Sequence, residues 1–502
     1  MTIPFKNIPA NVRTPLFYAE LDNSQANTAA QSQRTLIIAQ MTQVGTATPN
    51  VPVKAFGQAR ALGGAGSVLA LMAAVYGAND PTGDVWLLPL ADDASATAAT
   101  GTLTFTGPTT AAGILSLYIG ASPLNPSVVG LPQALAIPLA TAQTAAQVAT
   151  TVAALINSAI DLPVTASAAA SVVTLTAKNK GLCGNDIGIA ANFRGAIMGE
   201  ALPAGLGVAI VPMSGGTINP TLTTALASLT DMPFDFIVMG VNDPTSATAI
   251  KAFLNDSTGR WSWSKQLFGH AFYGFTGTQG AAASYAAAMN DQHALVLPQQ
   301  GSPTPSWLWI AWAVGLAAPS LRADPGLPLQ TLSGTGVLAP PIASRFDITI
   351  RNMLLYSGCS TFTVDTTGTV ALERMITTYV TNPQGQPDNS YLKLTTMFLL
   401  MYAIRRMRDM VQRKYARRKL AASGTRALPG TNVVTPNTIR ADIIAEYRAM
   451  EADGFVQGSD TFAANLVVEK NAGNPDRVDV LYPAIFVDEL DVLAMLVQFR
   501  QQ

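Results

Sequence analysis

The side chains able to do chemistry are few and scattered. General acid–base catalysis most often uses histidine, and the chain has only His270 and His293. Each sits inside an apolar run, Gly269-His270-Ala271-Phe272-Tyr273 and Gln292-His293-Ala294-Leu295-Val296. Such settings predict hydrogen-bonded core or strand-end histidines, although a Ser-His-Asp triad assembled by folding stays open. Gly63-Gly64-Ala65-Gly66-Ser67 precedes a helix as a phosphate cradle would. No lysine follows to complete GxxxxGK[ST], and the third glycine of GxGxxG is missing, so a tight helix entry is expected instead. Ser214-Gly215-Gly216-Thr217 has the texture of an oxyanion loop, but no GxSxG elbow occurs and a plain loop is expected. Cys183 and Cys359 are too far apart in sequence for a CxxC knuckle, and no HExxH or Asp-rich calcium loop is present. Asn185-Asp186 reads as an Asx-turn pair. No catalytic residue, metal or cofactor is expected.

Composition points the same way. Lys plus Arg number 30 against 31 Asp plus Glu, a net charge of −1, which excludes a globally basic nucleic-acid binder. Charged residues are 12% of the chain and hydrophobic ones 49%, so its weakly charged surface suits contact with other protein. The 502 residues allow roughly three domains. Pro4, Pro9 and Pro15 interrupt any signal-peptide core. The apolar runs 307–318 and 397–404 fall short of the roughly 20 residues a membrane span needs. A reducing cytoplasm and no membrane insertion are expected.

One stretch breaks the bland charge pattern, from Ile404 to Lys419: Ile404-Arg405-Arg406-Met407-Arg408-Asp409-Met410-Val411-Gln412-Arg413-Lys414-Tyr415-Ala416-Arg417-Arg418-Lys419. Helical spacing places Leu394, Met397, Phe398, Met401, Ile404, Val411 and Tyr415 on one face, with Arg406, Arg413 and Arg417 opposite and Lys414 beside them. One side packs and the other is a solvated face or meets an acidic protein surface. Nucleic acid or membrane fits less well, because aromatic interleaving is sparse.

Around these residues the chain reads as an α/β fold with a mostly parallel, mixed sheet, because strand and helix patterns alternate. Residues 1–33 form a Pro-punctuated N-terminal arm with one extended candidate, 16–22, whose Leu16, Phe17, Tyr18, Ala19 and Leu21 cannot pair locally. Core strands are expected at 34–40, 85–90, 234–240, 269–275 and 293–298, and helices at 67–76, 281–290 and after the Asp243-Pro244 cap. The core thus comprises 34–90 and 200–385. Between them, 91–199 changes to Ala, Thr and Ser with strand alternation at 102–106, 116–119 and 172–176 and a helix at 141–159, an inserted β-rich domain. Residues 386–502 form a C-terminal α+β unit, with a long helix from Tyr391 and a linker at 423–436. Its ending alternates Leu493, Met495, Val497 and Phe499 onto one side, strand-like, although 488–495 also suits a helix.

Three runs in order along the chain resemble the contractile tail sheath proteins of Mu-like bacteriophages. They are Asn7-Ile8-Pro9-Ala10-Asn11-Val12-Arg13-Thr14-Pro15-Leu16-Phe17-Tyr18-Ala19-Glu20, Leu372-Glu373-Arg374-Met375-Ile376-Thr377-Thr378-Tyr379 and Arg477-Val478-Asp479-Val480-Leu481-Tyr482-Pro483. The resemblance implies a core of subtilisin-like topology without its catalysis, an outer inserted domain, and chain ends exchanged between subunits. It further implies a homo-oligomer of hexameric rings stacked around an inner tail tube protein, with baseplate and tail terminator proteins as neighbours. Such a sleeve is assembled in the host cytoplasm, becomes part of the virion and contracts to drive the tube through the host envelope. On that footing Arg406, Arg413, Lys414 and Arg417 are expected to face the tube, and 16–22 and 493–500 to pair with another subunit's sheet. A phage-derived contractile bacteriocin is the near alternative, and an α/β hydrolase or peptidase the one from a different class.

Overall fold

A computed structural model describes residues 33–55, 57–120, 134–426 and 431–500. The expected strand at 16–22 lies outside the described residues. Strand β1 (Thr35–Gln40) is buried along its whole length, and the near-continuous apolar run Thr-Leu-Ile-Ile-Ala explains why: a strand covered on both faces has no solvent side to alternate with. A short edge strand, β2 (Val53–Lys54), and β3 (Val85–Leu90) follow. β3 pairs parallel to β1 from Thr35 against Val85 to Gln40 against Leu90.

The chain then leaves this sheet. β4 (Ala98–Thr106), β5 (Gly113–Ile119), β6 (Leu135–Leu139), β7 (Val164–Ala169), β8 (Val172–Lys180), β9 (Ile189–Ala191) and β10 (Gly207–Ser214) build two antiparallel sheets, ordered β10-β4-β8-β7 and β6-β5-β9. The helix Ala145–Ser158, started by a Thr144/Gln147 capping box, packs against them. The insertion does not stop at Gly199, because Gly207 to Val211 pair residue by residue with Thr106 to Thr102. The Gly/Pro-rich stretch 201–206 is only the connection into β10. The interior is also continuous with the core: Leu103, Phe105 and Val173 join Trp307 and Leu308 in one apolar cluster.

β11 (Phe236–Met239), β12 (His270–Thr276) and β13 (Ala294–Gln299) return to the first sheet and complete the order β13-β12-β11-β1-β3-β2, parallel except for β2. Alternate residues fill its two faces. Ile37, Leu87, Val238 and Phe272 meet the helices Val68–Asn79 and Ser306–Ala323, whereas Leu36, Ile38, Ile237 and Tyr273 meet Pro244–Leu254. Helix Ser306–Ala323 is apolar nearly all round and accordingly buried. It runs through Pro319 instead of ending there, the proline forfeiting the ladder bond that its N–H would make to the carbonyl of Gly315. A hairpin, β14 (Thr361–Val364) and β15 (Val370–Arg374), closes this part.

The C-terminal unit packs helix Leu394–Tyr415 on helix Pro436–Ala452, which starts with a Thr435 cap and Pro436 at its first position. The hairpin of Val467–Lys470 and Val478–Leu481 lies against the second helix. No helix among the described residues is long and apolar enough to cross a membrane.

Candidate functional site

The histidines do not assemble a nucleophile site. His270, at the start of β12, is fully buried against Phe272 and Phe398, and neither ring nitrogen has a hydrogen-bond partner. The expected ring hydrogen bond is therefore absent there, and burial holds this imidazole well below the usual histidine range, uncharged. His293 stacks on Trp261, 4.5 Å between ring centres, and its Nε2 lies 3.0 Å from Asp256 Oδ1. Neither ring is hydrogen-bonded to a hydroxyl or thiol among the described residues. Both cysteines are free and buried, and loss of hydration pushes both thiols up, Cys359 to about 12. No cluster of three or more His, Cys, Asp or Glu able to hold a metal occurs among the described residues.

The glycine turn is filled by protein. Ser67 Oγ caps the helix through Ala70 N at 3.0 Å. A Cβ on Gly66 would meet Leu162 O at 2.3 Å. Asn185 pairs through its amide with both backbone groups of Gly216, holding 214–217 as a loop. Its neighbour Asp186 is more than an Asx-turn residue: its carboxylate accepts from Ser306 Oγ across the seam between insertion and core, and desolvation raises it to about 6. A cleft of about 270 Å³ opens beside that seam, lined in part by Asp186, Phe193, Pro212 and Thr276.

The basic helix departs from its expected facing. Its first half lies on the core sheet, where Phe398 stacks on Phe236 at 4.9 Å, but its second half lies on helix Pro436–Ala452 through Ala403 and Met410. The two supports approach from different directions, so the packed face rotates along the helix. Ile404 and Val411 consequently fall in solvent, and Arg405 turns inward to Asp235. Arg406 does not lie on a free face: Nε is 2.5 Å from Glu446 Oε1 and Nη1 2.7 Å from Asp453 Oδ2. Lys414 Nζ is 2.8 Å from Asp442 Oδ1. The helix ends at Tyr415, which leaves Arg417 in the following turn, off the expected stripe. Only Arg413 and Arg417 of the four are exposed without an ion pair among the described residues; Arg413 Nε donates to Asp409 O.

Residues 491–500 are neither helix nor strand within the single chain. Residues 492–500 are exposed, and Leu493, Met495, Val497 and Phe499 are each at least 71% accessible. Leu496 is exposed as well, so both sides of the segment meet water. Sequence reasoning missed Trp263, 83% exposed on a loop pinned by the buried Arg260, which bonds the carbonyls of Phe268, Thr230 and Met232. A tryptophan between serines and a lysine, Ser262-Trp263-Ser264-Lys265, was the available signal.

Comparison with known proteins adds identity to this geometry. Residues 215–378 match the model of the phage tail sheath protein central domain, and 386–500 that of the phage tail sheath C-terminal domain. The Mu-like prophage FluMu tail sheath protein of Haemophilus influenzae is 34% identical over 503 residues, covering 99% of this chain and 100% of that protein. The sheath tail protein of Desulfitobacterium hafniense aligns over 95% of this chain and 97% of its own, with TM-score 0.47 and 12% identity. That of Listeria innocua aligns over 91% and 92%, with TM-score 0.47 and 13% identity.

Proposed function

The chain belongs to the phage tail sheath protein family, and from that premise we propose that it is the repeating subunit of a contractile sleeve. Hexameric rings of it stack around an inner tail tube between baseplate and terminator proteins, in a virion assembled in the host cytoplasm. The core, of subtilisin-like topology, performs no catalysis. Contraction proceeds from a metastable extended lattice, driven by subunit contacts set at assembly, without nucleotide hydrolysis.

The observation that carries this reading is the end-to-end relationship to a tail sheath protein. Two features of the single chain support the exchange of ends. An apolar segment, 492–499, is left in water, where its burial against a neighbour would be favourable at about 25 cal/mol per Å². Among the described residues the hairpin of Val467–Lys470 and Val478–Leu481 is a sheet of two strands, each with an edge that no described strand covers, the arrangement to which extended segments add. Residues 16–22 are proposed to add in the same way. The insertion is placed on the outside of the sleeve, where a domain entering and leaving the core at neighbouring points disturbs the lattice least.

Negative-stain microscopy of the purified protein tests the proposal, with rings or sleeves as the expected result. Deleting 1–22, or 492–502, should abolish them while leaving a folded monomer. Normal sleeves from either shortened chain would end the exchange reading, and a monodisperse monomer from the full chain under all assembly conditions would end the sleeve reading.

A further inference from the structure

The exposed tail begins at a defined point. Residues 485–487 belong to the C-terminal unit: Gln457 N bonds Ile485 O at 2.9 Å and Val487 N bonds Phe455 O at 3.2 Å. The next residues cross to the core. Arg374 Nη2, at the end of β15, lies 2.6 Å from Asp491 Oδ2. Lys393 Nζ lies 3.8 Å from both Glu489 Oε2 and Asp491 Oδ2, and Gln330 Nε2 reaches Leu490 O at 3.5 Å. After Asp491 the side chains are exposed to the end of the described chain.

Helix Leu394–Tyr415 gives this crossing a second anchor. Its cap residue Lys393 makes no side-chain capping bond, and its first turn holds no acid of its own. Glu489 supplies the missing negative charge at the positive end of the helix, its Oε2 lying 3.8 Å from Nζ of the cap residue Lys393. Burial and the neighbouring Asp491 carboxylate raise Glu489 above the usual carboxylate range, and Lys393 and Arg374 act against that rise. Two acids one residue apart, Glu489-Leu490-Asp491, thus face two cations from β15 and the helix start.

We propose that Arg374 and Lys393 are positioning residues that clamp Glu489 and Asp491 and fix the direction in which the segment 492–499 leaves the subunit for the copy that receives it. The proposal rests on the sleeve reading for that last clause alone; the clamp is a property of the single chain. A tail that swung freely would lose much of its effective concentration at a neighbour's edge, whereas one held at its root meets that edge in a limited range of directions.

Spin labels at Leu493→Cys and at the exposed Thr366→Cys test the clamp in the full chain, the two native cysteines being buried. The unclamped protein is Arg374→Gln with Lys393→Gln, and Arg374→Lys keeps the charge. A narrow distance distribution is expected for the parent and for Arg374→Lys, and a broad one for the double variant and for the parent in 1 M salt. Sleeve yield, scored without labels, should fall roughly fivefold in the double variant and recover with Arg374→Lys at position 374, with the thermal unfolding of the monomer little changed. An unchanged distance distribution in the double variant would show that no clamp exists. Broadening with normal sleeve yield and spacing would overturn the positioning role. If the parent chain forms no sleeve at all, the proposed function fails with the positioning clause, while the spin-label result still decides the clamp.

Discussion

The guanidinium of Arg405 bonds the carboxylate of Asp235, joining the middle of the long C-terminal helix to the foot of β11, with both groups buried. The pair is one of the contacts between the two family domains, since Asp235 lies in the central segment and Arg405 in the C-terminal one, as do Phe236 and Phe398. A cation–π contact of Arg405 with Phe268 at 5.4 Å completes the enclosure.

Breaking this pair on one side should be costly. Arg405→Met leaves a buried carboxylate without its main counter-charge, and a loss of about 3–5 kcal/mol is expected in urea unfolding followed by tryptophan fluorescence. Adding Asp235→Asn should return most of that loss. An Arg405→Met protein within about 1 kcal/mol of the parent would show that the pair contributes little.

Local signals and distant ones were legible to different degrees for a physical reason. Val85–Leu90 and the Asp243 cap before Pro244 are written in adjacent residues, an apolar run and a capping pair, and the structure has them where the pattern places them. The exposure of Ile404 and Val411 was not legible, because it depends on which second helix supports Ala403 and Met410. A single-face wheel assumes one support along the whole helix. The inward turn of Arg405 depends likewise on a residue 170 positions away. The continuation of the insertion into β10 is a pairing across roughly a hundred residues, for which no local composition change exists.

The seam between insertion and core should respond to pH through Asp186. Its folded-state value of about 6 lies above the ordinary 3.8, so folding favours the protonated acid. That stability is present below about pH 4 and is lost as pH rises through 6. Asp186→Asn mimics the protonated form and keeps a partner for Ser306. The variant should therefore match the parent near pH 3 and exceed it at pH 7.5 by on the order of 3 kcal/mol, measured by thermal unfolding at both values. A constant difference across that range would remove Asp186 from the account.

The same seam is sterically closed at Gly66, whose φ of +76° and contact with Leu162 O leave no room for a side chain. Gly66→Ala should destabilise by about 3 kcal/mol, combining backbone strain with a displaced carbonyl. Gly454 has a similar φ of +85° but nothing within 4 Å of a Cβ, so Gly454→Ala should cost only about 1 kcal/mol. Equal losses in differential scanning calorimetry would mean that backbone conformation, not the closed seam, sets the effect.

The basic helix separates into two groups that substitution can tell apart. Arg406 lies between Glu446 and Asp453, so Arg406→Glu puts three carboxylates together and should cost the monomer about 2–4 kcal/mol, before any tube is present. Arg413 and Arg417 are exposed without ion pairs among the described residues. Reversing both to Glu should therefore change monomer stability by about 0.5 kcal/mol or less. If these two face an acidic tube wall, as the family resemblance implies, the Arg413→Glu, Arg417→Glu protein should load poorly onto tubes. Screened surface contacts individually worth about 0–1 kcal/mol would hold the parent in sum, and raised salt should weaken its loading in the same direction. Co-sedimentation with tubes at two salt concentrations measures both effects. Normal loading of the double reversal would leave Arg413 and Arg417 as a solvated edge. A stable, normally folded Arg406→Glu protein would mean that the Glu446 and Asp453 contacts do not hold the two helices together.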